Sequence, residues 1–236
     1  ALLWLRADTM AGICTDDPLK PDVYFNARGY LCLVVRRIKR GGRGCTPFIR
    51  QVAGTRPMVK QLALGARQSI PAVVRRDRDR LKALGAHAAF AGRDVAEVQQ
   101  LADVFAADVF ATGLRPDQWS AMSRHAAAGD QIVLVSASFE IYLRPLAELL
   151  GADDVLAVRL ETDGDIFTGN LVGPNCRGPE KVRRLNEWLD EHHGGRANVH
   201  VTAYGDSAGD RELLLDSDTA VYVGSSSPAW LPASSR

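Results

Sequence analysis

Four side chains in the second half of this chain have types and spacings that could manage an anion and its counter-ion: Ser136, Lys181, Asp206 and Asp210. The two aspartates sit four residues apart in "VTAYGDSAGDRELL", 201–214, directly after an apolar run. A turn can be built from Gly and Ser alone. Two carboxylates four residues apart, at the end of an expected strand, suggest a metal or a phosphate nearby. Ser136 ends another apolar run inside "VSAS", where its hydroxyl and the backbone N–H groups that follow, beginning with Ala137, suit a phosphate at a helix N-terminus. Lys181 falls in the first turn of a helix, after the loop "GPNCRGPE". A lysine there opposes the helix dipole, so it is a poor structural choice and a better one if an anion must be held. Plainer readings exist for each: Ser136 and Asp206 as helix caps, Lys181 as a solvated surface lysine. Their common place, each at a junction of strand and helix, favours the chemical reading. Asn175 and Arg177, in the loop before Lys181, either touch a substrate or only shape that loop.

These residues need a frame, and the second half of the chain supplies one by alternating strand and helix. "QIVLVS" (131–136) is a continuous apolar run of strand length, as buried parallel strands are. The periodicity predicts a helix over 139–151, a strand over 154–161, and a return strand "IFTGNLVG" after the turn "TDGD". A helix over 179–193 opens on Pro179 and carries Val182, Leu185, Trp188 and Leu189 on one face. A strand over 198–205, a short helix "DRELLLD" and a last strand "TAVYVG" complete the order. Strands separated by helices predict a parallel sheet with right-handed crossovers, and ligands of such sheets bind at the carboxyl ends of the strands.

Residues 46–112 read differently. "RDVAEVQQLADVFAADVF" places Val95, Val98, Ala102, Phe105 and Val109 on one helical face, and Asp94 with Glu97 resembles a capping box. Strand signals are scarce there, which predicts a helical insertion on or beside the sheet domain. Pro116 and Asp117 begin a further helix.

Composition narrows the function classes. With 46% apolar and 24% charged residues, and a net charge of +1, the chain is an ordinary globular one with no global charge to recruit a partner. Residues 1–80 hold sixteen Lys/Arg against six Asp/Glu, densest in "RRIKRGGRG", 36–44. No aromatic residue interleaves that stretch to stack bases, so a nucleic-acid partner is not expected. The four cysteines, Cys14, Cys32, Cys45 and Cys176, form no C-x-x-C pair and have no zinc spacing with the histidines. Unconnected reduced thiols fit a cytoplasmic protein. No apolar run approaches the ~20 residues of a membrane span, and no G-x-G-x-x-G follows a predicted strand, which disfavours a nucleotide-dependent dehydrogenase.

"VLVSAS", "GPEKVRRL" and "YGDSAGDRELL" resemble the second, third and fourth motifs of the haloacid dehalogenase (HAD) superfamily. The nearest branch is the phosphoserine-phosphatase-like one (subfamily IB). The resemblance implies an α/β fold: a Rossmann-like core from 1–45 and 113–236 and a helical cap from 46–112. It implies a Mg2+-dependent phosphatase that hydrolyses a small phosphorylated metabolite through an aspartyl-phosphate intermediate. Ser136, Ala137 and Asn175 would then bind the substrate phosphate, Lys181 would neutralise nucleophile and phosphate, and Asp206 and Asp210 would form the metal site.

The family also needs D-x-D-G-T after a strand near the N-terminus, and this sequence has none. In the best match, "VYFNARGYL" (23–31), Asn26 takes the place of the nucleophile, Arg28 that of the second carboxylate and Tyr30 that of the threonine. "LLWLRADTM" keeps only Asp8. An amide cannot replace a carboxylate nucleophile at neutral pH, and Arg28 would put a fixed positive charge where a metal belongs. Three readings stay open. The first 45 residues are not the native ones, through a frame error or wrong start; or the chain is an inactive pseudoenzyme or phosphate-binding regulatory module; or Asp8, Asp16, Asp17 or Asp22 serves instead.

Overall fold

The computed structural model describes residues 29–34, 45–54, 78–225 and 228–231. Asn26, the basic stretch 36–44, and Asp8, Asp16, Asp17 and Asp22 lie outside the described residues. Six strands form one sheet: β1 (Gly29–Val34), β2 (Gln131–Phe139), β3 (Asp154–Asp163), β4 (Ile166–Val172), β5 (Val199–Gly205) and β6 (Thr219–Tyr222). Their spatial order is β4-β3-β2-β1-β5-β6, and every neighbour pair is parallel except β3–β4. The antiparallel pair is the hairpin anticipated from "IFTGNLVG". Both faces of β2 are buried, which is why its sequence is apolar without alternation. β5 alternates buried and half-buried positions instead.

From β1 the chain order runs outward to β2 and β3 on one side and to β5 and β6 on the other. The order therefore reverses around β1, and the crevice at the carboxyl ends of β2, β1 and β5 is where such sheets take ligands. The central strand is also displaced from the sequence expectation. β1 begins three residues after Asn26, so the chain reaches the carboxyl end of this strand at Val34 rather than within "VYFNARGYL". Residues 23–76 contain no Asp or Glu at all.

Seven helices are present among the described residues: α1 (Cys45–Ala53), α2 (Arg78–Phe90), α3 (Val95–Thr112), α4 (Pro116–Ala128), α5 (Glu140–Leu150), α6 (Pro179–His193) and α7 (Arg211–Asp216). Leu185, Trp188 and Leu189 of α6 are buried, as the 3.6-residue spacing requires, and Val182 is packed against the same core. On α3 the buried set is Val98, Ala102, Phe105, Ala106 and Val109.

Among the described residues, the helices of 46–112 share the core of the sheet. Phe48 of α1 and Phe105 of α3 lie 4.9 and 5.0 Å from the ring of Tyr142 on α5, and Phe90 of α2 lies 5.3 Å from Phe139 and 6.1 Å from Phe167 on β4. One aromatic cluster thus joins α1, α2 and α3 to α5 and the β3–β4 hairpin. Two polar links fix the same junction. Pro145 inside α5 has no N–H to give the carbonyl of Ile141, and Gln99 of α3 donates to that carbonyl at 3.3 Å. Arg93, 1% exposed, donates to Val52 O at 2.6 Å and to Glu97 Oε1 at 3.0 Å. Only half of the anticipated capping box therefore forms. Asp94 accepts from Glu97 N at 2.9 Å, while the Glu97 side chain turns to the buried arginine.

Candidate functional site

At its carboxyl end β2 leaves the regular ladder. Val135 is paired with Leu156 and Phe139 with Val158, so four residues of β2 advance against two of β3. The surplus falls on "SAS", 136–138. A bulge of this kind bends the strand and releases backbone groups from pairing, and it re-aims the side chains of the released residues. Ser136 and Ser138 are buried there, and Ser136 Oγ accepts from Ser138 N at 3.1 Å. With that lone pair used, the hydroxyl proton of Ser136 can be given to another acceptor.

Lys181 enters from the first turn of α6. It is 1% exposed and donates to Val135 O at 3.0 Å and to Asp210 Oδ1 at 2.7 Å, Asp210 also being 1% exposed. The dipole cost that singled out this lysine in the sequence is thus met by a buried carboxylate from across the sheet. One ammonium ties the end of β2 to the turn after β5. A buried pair of this kind holds only if the remaining lone pairs are satisfied. They are: Asp210 Oδ2 accepts from Ser207 Oγ at 2.7 Å, Ser207 N at 3.1 Å and Asp206 N at 3.3 Å. Burial pushes the Asp210 carboxyl up, but the adjoining Lys181 charge and these donors outweigh it and hold the group below the ordinary carboxylate range.

The turn itself is a short 3-10 segment, Ala208–Asp210, with Ser207 and Asp210 capping each other reciprocally. Its close packing explains two glycines. A Cβ on Gly205 would lie 2.8 Å from Asp210 Cβ and 2.9 Å from Leu214 Cδ1. One on Gly209 would lie 2.8 Å from Arg177 Nε and 3.0 Å from its Cγ. Arg177 therefore lies over Gly209, and Gly178 N donates to Gly209 O at 2.9 Å, docking the loop before α6 onto the turn after β5. Asp206, the first residue past β5, is half-buried, and its carbonyl accepts from Tyr222 Oη at 2.9 Å.

Ser136, Ala137, Lys181, Asp206 and Asp210 are therefore grouped at the carboxyl ends of β2 and β5. Asn175 borders that group from the side of α2. Its Nδ2 donates to Asp79 Oδ1 at 2.6 Å and its Oδ1 accepts from Lys82 Nζ at 2.9 Å. Lys82 is a residue that sequence reasoning missed. It lies in a helix with no motif around it, and only the fold brings it against "SAS". Burial pushes the Cys176 thiol up, against the pull of Lys181, Arg184 and Lys82 nearby.

The donor set bears unevenly on a metal. Among the described residues no three His, Cys, Asp or Glu side chains converge. Both oxygens of Asp210 are committed to Lys181 and to the turn, so its place is as the organiser of the turn. Asp206 offers a hard carboxylate at the strand end. Mg2+ is commonly bound through one or two carboxylates, with waters and substrate phosphate completing its shell, and Asp206 fits that role.

A mainly parallel sheet whose order reverses at β1, with a buried lysine–aspartate pair spanning the ends of β2 and β5, defines an α/β protein. The haloacid dehalogenase-like hydrolase family model matches residues 43–215, and the chain belongs to that family. The chain is 36% identical over 149 residues to the protein CicA of Caulobacter vibrioides, covering 62% of this chain and 64% of that one. It is 31% identical over 112 residues to the histidinol-phosphatase of Neisseria meningitidis, covering 47% of this chain and 50% of that one. It thus spans less than two thirds of the length of these relatives. Among solved structures, a protein of unknown function from Bordetella pertussis Tohama I superposes with a TM-score of 0.66 at 21% identity, over 83% of this chain and 90% of that one. A substrate-bound phosphoserine phosphatase superposes with a TM-score of 0.53 at 16% identity, over 83% and 86%. Both share the fold.

Proposed function

We propose that this chain is a phosphatase-type HAD protein that binds the phosphate of a small phosphorylated metabolite at the carboxyl ends of β2 and β5. The observation that carries the reading is the buried Lys181–Asp210 pair joining the β2 bulge to the β5 turn. A buried cation held at the end of a strand, beside a serine whose hydroxyl proton is available, suits a dianionic ester. Named phosphatases among the relatives support the same class.

In this reading Ser136 Oγ–H and the backbone amides of the bulge donate to phosphate oxygens. Those donors are held before the substrate arrives, so they cost little reorganisation. Lys181 lowers the charge of the bound ester and, through Asp210, keeps the Asp206 turn in place. Mg2+ on Asp206 would supply further positive charge to the phosphoryl oxygens. The helices of 46–112 act as the cap that shields the crevice from water.

Hydrolysis through an aspartyl-phosphate additionally needs a carboxylate in line with the phosphorus. It would come from Asp8, Asp16, Asp17 or Asp22. The absence of any Asp or Glu between residues 23 and 76, just where the chain leaves β1, favours a second reading: a phosphate-binding module without turnover. Hydrolysis of p-nitrophenyl phosphate, with and without Mg2+, separates the two. Metal-dependent turnover lost on Asp206→Asn supports the hydrolase. Folded protein that binds phosphate and releases no nitrophenol supports the silent module.

A further inference from the structure

Tyr222 closes β6, the strand beside β5, and its phenol reaches the turn that carries Asp206. Its hydroxyl donates to Asp206 O at 2.9 Å. The N–H of the same peptide unit, that of Ser207, donates to Asp210 Oδ2 at 3.1 Å, and Asp206 N donates to that oxygen at 3.3 Å. The peptides on both sides of the Asp206 α-carbon are therefore anchored, one of them at both ends. Fixing two planar peptides fixes the backbone dihedrals between them, and these limit the directions in which the side chain can leave. Asp210 anchors Asp206 from within the turn, and Tyr222 anchors it from the edge strand. The phenol is itself held. Its ring meets that of Trp230 edge-on, with centres 6.1 Å apart. A Cβ on Gly224 would lie 2.5 Å from Cε1, Cζ and Oη of Tyr222, so the chain folds back closely across the phenol end. Val223, between them, donates from N to Gly205 O at 2.8 Å and accepts at O from Arg115 Nη1 at 3.0 Å, which ties this cover to β5 and to the start of α4. A phenylalanine would fill the same space; the hydroxyl adds the bond to Asp206.

We propose that Tyr222 is a positioning residue for Asp206: its hydroxyl presets the direction of the Asp206 carboxylate toward a divalent cation. This rests on the reading of Asp206 as a cation ligand given above. A ligand held before the ion arrives gives up little freedom on binding, so the brace shows itself in cation affinity. Partners that orient a metal ligand without touching the metal act in this way. The ring of Tyr222, by contrast, serves packing against Trp230 and Gly224, and a change that keeps the ring separates the two roles.

The test is calorimetric titration of the full chain with Mg2+, beside thermal unfolding of the same proteins in EDTA. Tyr222→Phe keeps the ring and removes only the hydroxyl. It should unfold in EDTA as one cooperative transition, as the wild type does, and bind Mg2+ about tenfold more weakly. Asp206→Asn should lose Mg2+ binding outright. A Tyr222→Phe variant with wild-type Mg2+ affinity, whatever its unfolding midpoint, would make the hydroxyl merely structural and overturn the assignment of Tyr222 alone. A wild type that binds no Mg2+, or an Asp206→Asn variant that binds it as the wild type does, would overturn the cation reading on which the proposal rests.

Discussion

Lys181 and Asp210 decide the local electrostatics, and their pairing makes definite demands. Asp210→Asn leaves a buried ammonium without its carboxylate, which should cost about 3–5 kcal/mol in denaturant unfolding. Combining it with Lys181→Met should cost less than the sum of the two single changes, because the double variant strands no charge. Additive losses would mean that the pair is not coupled. Glu180, one residue earlier, accepts from Arg183 and Arg184, and its carboxyl is held down to about 2, chiefly by the Arg183 hydrogen bond. Its folded value is thus below its unfolded value of about 4.3. The stabilisation is fully present above the unfolded value and is lost as pH falls through the folded one. Glu180→Gln should therefore destabilise the protein at pH 7, and the gap to wild type should close between about pH 4 and pH 2. Urea midpoints measured across that range check the sign; a gap that widens on acidification would contradict it. The sequence exposed Lys181 because a cation at a helix N-terminus opposes the dipole, and Asp206 because a second carboxylate follows it four residues on in the same glycine-rich turn. It could not say that Asp210 spends both oxygens on organisation. Type and spacing are alike for a ligand and for a brace.

At the scale of elements, the site depends on how two loops dock. Gly209 accommodates the Arg177 side chain, so Gly209→Ala should cost about 1–3 kcal/mol by overpacking. The same change in an Arg177→Ala background should cost much less, since the atoms it meets are gone. Thermal unfolding of the four proteins of this cycle measures the coupling, and an equal loss in both backgrounds would place the clash elsewhere. Strand and helix positions of the second half were legible because β2 is buried on both faces and α6 on one stripe, and burial writes itself into apolar spacing. The bulge at "SAS" was not, because two surplus residues in a strand leave no mark on hydrophobicity. Lys82 was hidden for a different reason: its partners are 55 and 93 residues away.

For the molecule as a whole, α1, α2 and α3 share an aromatic cluster with α5 and the hairpin, so among the described residues these helices and the sheet form a common core. The family could be read from three short motifs, because their residue types and spacing match those of the family. The first motif could not be read at all. β1 lies at the centre of the sheet, where the nucleophile strand of such a fold is needed, yet the residues after Val34 are "VRRIKRGG". The nucleotide sequence upstream of codon 46, translated in all three frames, should show D-x-D-G-T directly after the codons of β1 if a frame error displaced the motif. Its absence from every frame would leave the silent module or an alternative carboxylate. The central claim is that Ser136, the Lys181–Asp210 pair and Asp206 surround one bound phosphate. A crystal soaked in Mg2+ and orthovanadate tests it most directly. The account predicts a vanadate oxygen within hydrogen-bond distance of Ser136 Oγ and the cation on Asp206. Vanadate bound away from the ends of β2 and β5, or a cation on residues other than Asp206, would contradict it.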